Sequence, residues 1–341
     1  SDTNAWLDMY FTNAYRADCA MTLCEDSNTV CSLLLQPYTM TFHGAHVGTS
    51  YVSGAATRPQ FRNHGYMTTL MKQALQASRL RGDMLCTLIP ANQRLYSYYS
   101  KLGFSTVFYT TLLRYTSAHS FPVENSYIQV NQNDTTRLYK AFSNLMERRD
   151  CCIQHTETQF QAIMADNQLS NGVFTAIANE QQEIEAMAWA IPEEGNRTLR
   201  ITDILSKNED AYNAALRELQ FIRPNRSLTI MERPSDNSPV ALTPRGMARL
   251  LNPVKDLSIL ASSHPGLHTK IRVSDNIIEE NNATYHLSGG QVDTLPYISP
   301  DITPDLDVTI GVLTAILFSS HHIGTIMGLP ATRPFMSLMM D

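Results

Sequence analysis

The chain has 341 residues, of which 43% are apolar and 17% charged, with a formal net charge of −6. That length exceeds what one hydrophobic core ordinarily serves, so two or three domains are expected, and the composition excludes a disordered chain. An acidic balance without a basic stripe argues against a nucleic-acid partner and is compatible with a cationic small substrate.

Cys19, Cys24, Cys31, Cys86, Cys151 and Cys152 show neither CxxC spacing nor disulfide density, which predicts free thiols and a cytoplasmic protein. The Cys151-Cys152 pair reads as apolar filler rather than a redox couple. The longest apolar stretch, around Val308 to Phe318, is far below the roughly 20 residues that span a bilayer, so no membrane span is expected. The chain opens on Ser1 without a signal peptide or a methionine, as a trimmed amino terminus would.

In chain order, Trp6, Leu7, Tyr10, Phe11 and Tyr15 repeat at helical spacing, and Val30 to Thr57 is rich in strand formers. His43-Gly44-Ala45-His46 breaks that run into a hairpin, with a strand from Val47 to about Thr57. Pro59 ends the strand, Gly65 sits in a turn, and Met67, Leu70, Met71, Ala74 and Leu75 predict a helix. Met84 to Ile89 reads as a strand, Asn92 to Leu102 as a helix, and Phe104 to Tyr115 as a strand.

From about Ala118 to Arg233 the pattern restarts. Thr135 to Arg148 and Asp210 to Gln220 predict helices, with strands in Gly172 to Ile191. This second block lacks an Arg-x-x-Gly turn. Pro234-Ser235-Asp236-Asn237-Ser238-Pro239 is boundary chemistry. A third unit is then expected, with a helix near Met247 to Leu251, strands at Thr269 to Val273 and Ala283 to Leu287, and an amphipathic stretch at Val308 to Phe318.

The segment Arg62-Asn63-His64-Gly65-Tyr66-Met67 follows a strand and opens a helix. First-turn amides of a helix lack internal partners and sit at the positive end of its dipole, so they can hold a pyrophosphate. Gly65 lets the phosphate approach the backbone. Downstream, Asn92 precedes Tyr99 by seven residues, and Tyr99-Ser100-Lys101-Leu102-Gly103-Phe104 ends a helix at a glycine.

In these two motifs, in this order, the chain resembles the GNAT superfamily of N-acetyltransferases. Met67 departs from the small residue usual at the end of the turn. The resemblance implies acetyl-CoA as co-substrate and no metal. It implies that Ala55, Ala56 and Thr57 bind the cofactor, the backbone of Ala55 and Thr57 pairing with the pantetheine arm. It further implies that the amides of Arg62, Asn63, His64, Gly65, Tyr66 and Met67 hold the pyrophosphate, with Asn92 among the cofactor-binding positions. Tyr99 is the implied general acid; an unperturbed phenol near pKa 10 suits a thiolate leaving group.

The resemblance extends to the enhanced intracellular survival family, through Ala248-Arg249-Leu250-Leu251-Asn252-Pro253, Ile271-Arg272-Val273-Ser274-Asp275 and Leu306-Asp307-Val308-Thr309-Ile310-Gly311. It implies an α+β architecture: a GNAT domain at 1–117, a degenerate GNAT-like domain at 118–235, both mixed sheets with flanking helices, and a sterol-carrier-like α+β domain at 236–341. A homo-oligomer is expected by the same resemblance.

In that family the terminal carboxylate is the base, which points to Asp341. The apolar tail Phe335-Met336-Ser337-Leu338-Met339-Met340 before it reads as docked rather than frayed. An α-carboxyl with a reference pKa near 3.5 needs burial or a relaying water to serve an ammonium, and Asp341 brings a second carboxyl. His321-His322 lacks a third ligand at metal spacing. The expected reaction is direct transfer to an amine-bearing small molecule or peptide. The alternative is an apolar-ligand carrier built on the third unit, with a non-catalytic GNAT unit.

Overall fold

The structure, a computed structural model, describes residues 4–13, 15–193, 195, 197–234, 242–318 and 328–338. Asp341, His321-His322 and most of the boundary segment after Pro234 lie outside them.

The first block is α1 (Asn4–Asn13), β1 (Ala20–Glu25), β2 (Asn28–Phe42), β3 (Ala45–Thr57), α2 (Tyr66–Arg81), β4 (Leu85–Leu88), α3 (Gln93–Ser100) and β5 (Ser105–Tyr115). The β2–β3 hairpin closes with Phe42 opposite Ala45, and the two residues between, His43 and Gly44, both have positive φ (46° and 79°). Two such residues match the twist of the flanking strands, so the turn fixes the register of the long pair. Helix α2 buries Leu70, Met71, Ala74 and Leu75 and stops at Gly82, whose φ of 96° continues no helix.

The second block is β6 (Ile128–Gln129), α4 (Thr135–Glu147), β7 (Ile153–Gln154), α5 (Glu157–Leu169), β8 (Val173–Ala178), β9 (Ile184–Pro192), β10 (Thr198–Ser206), α6 (Glu209–Ile222) and β11 (Ser227–Glu232). Its buried centre is Trp189, against which Phe142, Phe160 and Phe174 pack. The third stretch is β12 (Thr243–Leu250), α7 (Pro253–Ser263), β13 (Thr269–Ser274), β14 (Ala283–Ser288), β15 (Gln291–Leu295), β16 (Leu306–Thr309) and α8 (Ile310–Leu317).

The first two blocks share one sheet, in the order β1-β2-β3-β4-β12-β5-β11-β10-β9-β8-β6, joined where β5 pairs antiparallel with β11. The helix expected near Met247 to Leu251 is instead the strand β12, inserted between β4 and β5. Met247, Ala248, Arg249 and Leu250 are all buried, and a short run covered on every side carries no periodicity that separates strand from helix.

Strand β7 pairs with β2 off that path, and the other four strands form a second sheet, β15-β14-β13-β16. Its inner face and helices α7 and α8 share a core with the first block: Leu257, Ile271, Val273, Leu313 and Phe318 cluster with Met40, Phe42, Leu85 and Val107. Where the two parts meet, Arg249 and Asp275 form an ion pair at 2.6 Å with both side chains fully buried. No helix among the described residues is long and apolar enough to cross a membrane.

Candidate active site

Strands β3 and β4 run parallel and pair from Thr49 opposite Leu85 to Val52 opposite Leu88. There β4 ends, while β3 continues to Thr57 with only β2 beside it. Its pairing with β2 is interrupted by a bulge between Ser32 and Leu34, and Gly54, opposite, has a φ of 58°. A bulge bends its strand, so β3 turns away from β4 at the point where the pairing stops. The result is an open wedge with one exposed edge, Gly54, Ala55 and Ala56 all lying at the surface. Gly54 is the position the sequence reading passed over; an isolated glycine inside a strand is the signal for such a bulge.

The chain leaves this edge through a 3-10 turn, Pro59–Phe61, and Arg62 folds back so that its Nε donates to the Thr57 carbonyl at 3.2 Å. Asn63 and Gly65 are left-handed (φ 66° and 83°), and a side chain placed on Gly65 would meet nothing within 4 Å. Gly65 is the N-cap of α2 and, having no side chain, leaves the first-turn amides of Tyr66, Met67 and Thr68 without a side-chain cap. No acidic residue occupies that turn. The donors and the helix dipole therefore face outward, beside the exposed edge of β3.

Arg62, Asn63 and His64 are exposed. Tyr66 is fixed by its hydroxyl donating to Glu25 at 2.6 Å, and Met67 packs against the core of the first block. The missing small residue is thus accommodated on the core side of the helix.

Asn92 starts α3 as its N-cap, its Oδ1 accepting from the Arg94 amide at 3.1 Å. Tyr99, in the last turn, is 7% exposed and packs edge-on to Tyr98 and Phe104. Burial pushes its phenol up to about 12, with smaller contributions from Tyr98 and Cys86. The group stays protonated throughout the neutral range. It is a weaker proton donor than a free phenol and a secure hydrogen-bond donor. Its neighbour Tyr98 meets Thr68, in the first turn of α2, at 3.3 Å.

The carboxy-terminal tail is docked as far as Leu338. Phe335 donates its amide to the Cys151 carbonyl, and its ring lies 5.2 Å under the Arg149 guanidinium, which itself grips Asp203 through two hydrogen bonds. The Ser337 hydroxyl bonds Asp203, and the Ser337 carbonyl meets His155 Nε2 at 2.6 Å. Met336 passes the end of β4: a side chain added to Gly246 would sit 3.1 Å from the Leu88 carbonyl oxygen and 3.2 Å from Met336. The tail thus reaches the mouth of the wedge.

Leu338 also lines a cavity of about 860 Å³ bounded by α1, β2, β3, α4 and α5, whose wall includes Gln36 and Ser53 at the wedge. These lining residues went unmarked in the sequence because they come from segments far apart in the chain. Cys151 and Cys152 are fully buried, and burial raises both thiols, Cys152 to about 11. Neither is poised for thiolate chemistry. Among the described residues no group of three or more His, Cys, Asp or Glu could hold a metal ion.

Residues 2–107 match the acetyltransferase (GNAT) domain family. No curated protein matches the chain. Among solved structures, a probable N-acyltransferase of Enterococcus faecalis superposes with a TM-score of 0.75 at 13% identity, over 98% of this chain and 92% of that one. A GCN5-related N-acetyltransferase of Anabaena variabilis gives 0.74 at 13% identity, over 97% and 92%. Eis1 of Mycobacterium abscessus gives 0.73 at 13% identity, over 98% and 95%. These likenesses establish a fold shared over nearly the whole chain.

Proposed function

We propose that the chain is an acyltransferase that moves an acetyl group from acetyl-CoA to an amine in a ternary complex. The observation that carries this reading is the wedge between β3 and β4, whose exposed edge stands beside the uncapped amides of α2. An extended pantetheine arm pairs with the backbone of Ala55 to Thr57 as an added strand. The pyrophosphate takes the amides between Arg62 and Met67, and Asn92 contributes by starting the helix that carries Tyr99. The match of residues 2–107 to the acetyltransferase domain family supports the same assignment.

The amine nitrogen attacks the thioester carbonyl, the C–S bond breaks, and the amine loses a proton. Direct attack is favoured over an acyl-enzyme because the buried thiols are held protonated. Backbone amides at the wedge polarise the carbonyl. Tyr99 hydrogen-bonds the departing sulfur and supplies its proton; with a phenol near 12, the hydrogen bond does more of the work than the transfer.

The base in this proposal is Asp341, three residues beyond Leu338 on a tail already aimed at the wedge. A carrier of apolar ligands is the weaker reading, because the inner face of the second sheet is filled by shared core rather than hollow.

Tyr99→Phe is the test. Thiol release from acetyl-CoA with an amine acceptor should fall about 10²-fold, within the range typical of a lost transition-state donor, with acetyl-CoA binding unchanged. Unchanged turnover removes Tyr99 from the mechanism. Deleting residues 339–341 tests the base: turnover should fall, and full retention excludes Asp341.

A further inference from the structure

The second block repeats the construction of the wedge between β3 and β4. Strands β10 and β11 run parallel and pair from Thr198 opposite Ser227 to Ile201 opposite Ile230. There the pairing stops. Thr202 is an extra residue of β10 against β9, a bulge that bends the strand, while β11 runs on to Glu232 beside β5. The helix that follows differs from α2: Asn208 caps α6 by accepting the Ala211 amide at 2.8 Å, and Glu209 and Asp210 stand in its first turn. Negative charge at that end of a helix repels a phosphate.

The edge of β10 is closed as well. The Ile204 amide donates to Asp203 at 2.7 Å, and the Ile204 carbonyl accepts from Arg149 at 2.6 Å. Against this opening lies the chain's own tail. Phe335, Met336 and Ser337 leave a space of about 30 Å³ beside Thr202 and Met231, room for no more than a water or two.

The grip on the tail is specific. Asp203 is 4% exposed, and its carboxylate takes two donors from Arg149, the Ile204 amide and the Ser337 hydroxyl. Arg149, oriented by that two-point pairing, lies over the Phe335 ring. On its main-chain side, the Ser337 carbonyl can only accept, so His155 Nε2 donates across their 2.6 Å contact. Ser337 is thus held by side chain and backbone together. The residue before it, Met336, passes the end of β4, and the residue after it, Leu338, lines the large cavity.

We infer that the second wedge is a receptor for the chain's own tail, and that Asp203 and Arg149 are positioning residues for acyl transfer, acting through the tail they hold between the first wedge and the cavity. The effect on turnover rests on the acyltransferase reading; the seating of the tail does not.

Ser337→Ala on the full chain tests this, because it takes the hydroxyl from Asp203 and leaves the pairing with Arg149 untouched. Amide exchange at residues 335–338 should quicken about tenfold or more, the weight of one hydrogen bond to a charged group, with exchange in β8 and β9 unchanged. Thiol release from acetyl-CoA across a panel of amines should fall in kcat, with acetyl-CoA affinity by calorimetry unchanged. Ser337→Thr, which keeps the hydroxyl, should behave as the parent. Asp203→Asn should loosen the tail too, and adding Ser337→Ala to it should bring little further change, since the two residues share one contact. Unchanged exchange at residues 335–338 in Ser337→Ala overturns the receptor. Quickened exchange with undiminished thiol release overturns the positioning role. A parent chain that releases no thiol with any of the amines, while Ser337→Ala still loosens the tail, sustains the receptor and counts against the acyltransferase reading instead.

Discussion

Arg249→Met removes one half of the fully buried pair that joins β12 to the second sheet. Arg249 makes three contacts: Nη2 to Asp275 at 2.6 Å, Nε to the Leu102 carbonyl at 2.8 Å, and Nη1 to the Leu250 carbonyl at 3.1 Å. Asp275 keeps the amides of Ile277 and Ile278 and the Asn281 amide group, all within 3.1 Å, so its charge is not wholly abandoned. Breaking a buried pair by removing one partner costs about 3–5 kcal/mol, and the remaining donors to Asp275 place this one near 3 kcal/mol.

The effect should reach the candidate active site. Leu102 and Gly103 lie in the turn that follows α3, the helix of Tyr99, and a side chain on Gly103 would come within 2.9 Å of Arg249 Nε, so the guanidinium is the floor of that turn. Urea denaturation should show the loss as a lower midpoint for the transition that includes the first block. Thiol release, corrected for the folded fraction, should fall as well. The double variant Arg249→Met/Asp275→Asn should recover part of the stability. A cost below about 1 kcal/mol for the single variant would refute the view that this pair clamps the two sheets.

Gly65→Ala should cost about 1 kcal/mol from the left-handed backbone alone, since the space in front of it is open, and should weaken acetyl-CoA binding by isothermal titration. Because burial holds the Tyr99 phenol near 12, turnover should show no alkaline loss attributable to the acid below about pH 10; an ionisation near 8 or 9 that vanishes in Tyr99→Phe would contradict this. Burial lowers the His155 imidazole below its ordinary value of 6.5, against a smaller upward pull from the Ser337 carbonyl and Asp203. The unfolded chain then takes up the proton first on acidification. Stability should therefore decline as pH falls from about 6.5 toward the folded pKa, and thermal melts of His155→Gln should show a shallower decline. Gly246→Leu, placing a side chain against Leu88 and Met336, should unseat the tail and lower turnover with little change in acetyl-CoA affinity.

The strand, turn and helix proposed to hold the cofactor were legible because they are local. A strand, the turn from Arg58 to Gly65 and the helix after it are contiguous, and the amides that face outward follow from the glycine's position alone. Tyr99 was legible by its spacing from Gly103, though not its burial, which depends on Phe104 and Cys86 from other elements. The tail's apolar run foretold docking but not its route past Leu88.

The large cavity was hidden. Trp6, Tyr38, His155 and Leu338 converge from four distant segments, and no spacing in the chain relates them. Strand β12 was hidden for a different reason: its last five residues, from Gly246 to Leu250, are buried whichever face they take, so they show no alternation that marks a strand. Helix α5, with its capping box of Thr156 and Gln159, carried a start signal in Thr-x-x-Gln that the sequence reading did not use.

Amide hydrogen exchange on the full chain, with and without saturating acetyl-CoA, tests the central claim at the residues that carry it. The account predicts new protection at Gly54 to Thr57 on the open edge of β3 and at Tyr66 to Thr68 in the first turn of α2. Unchanged exchange at both segments while acetyl-CoA is bound elsewhere, or no binding at all, would contradict it.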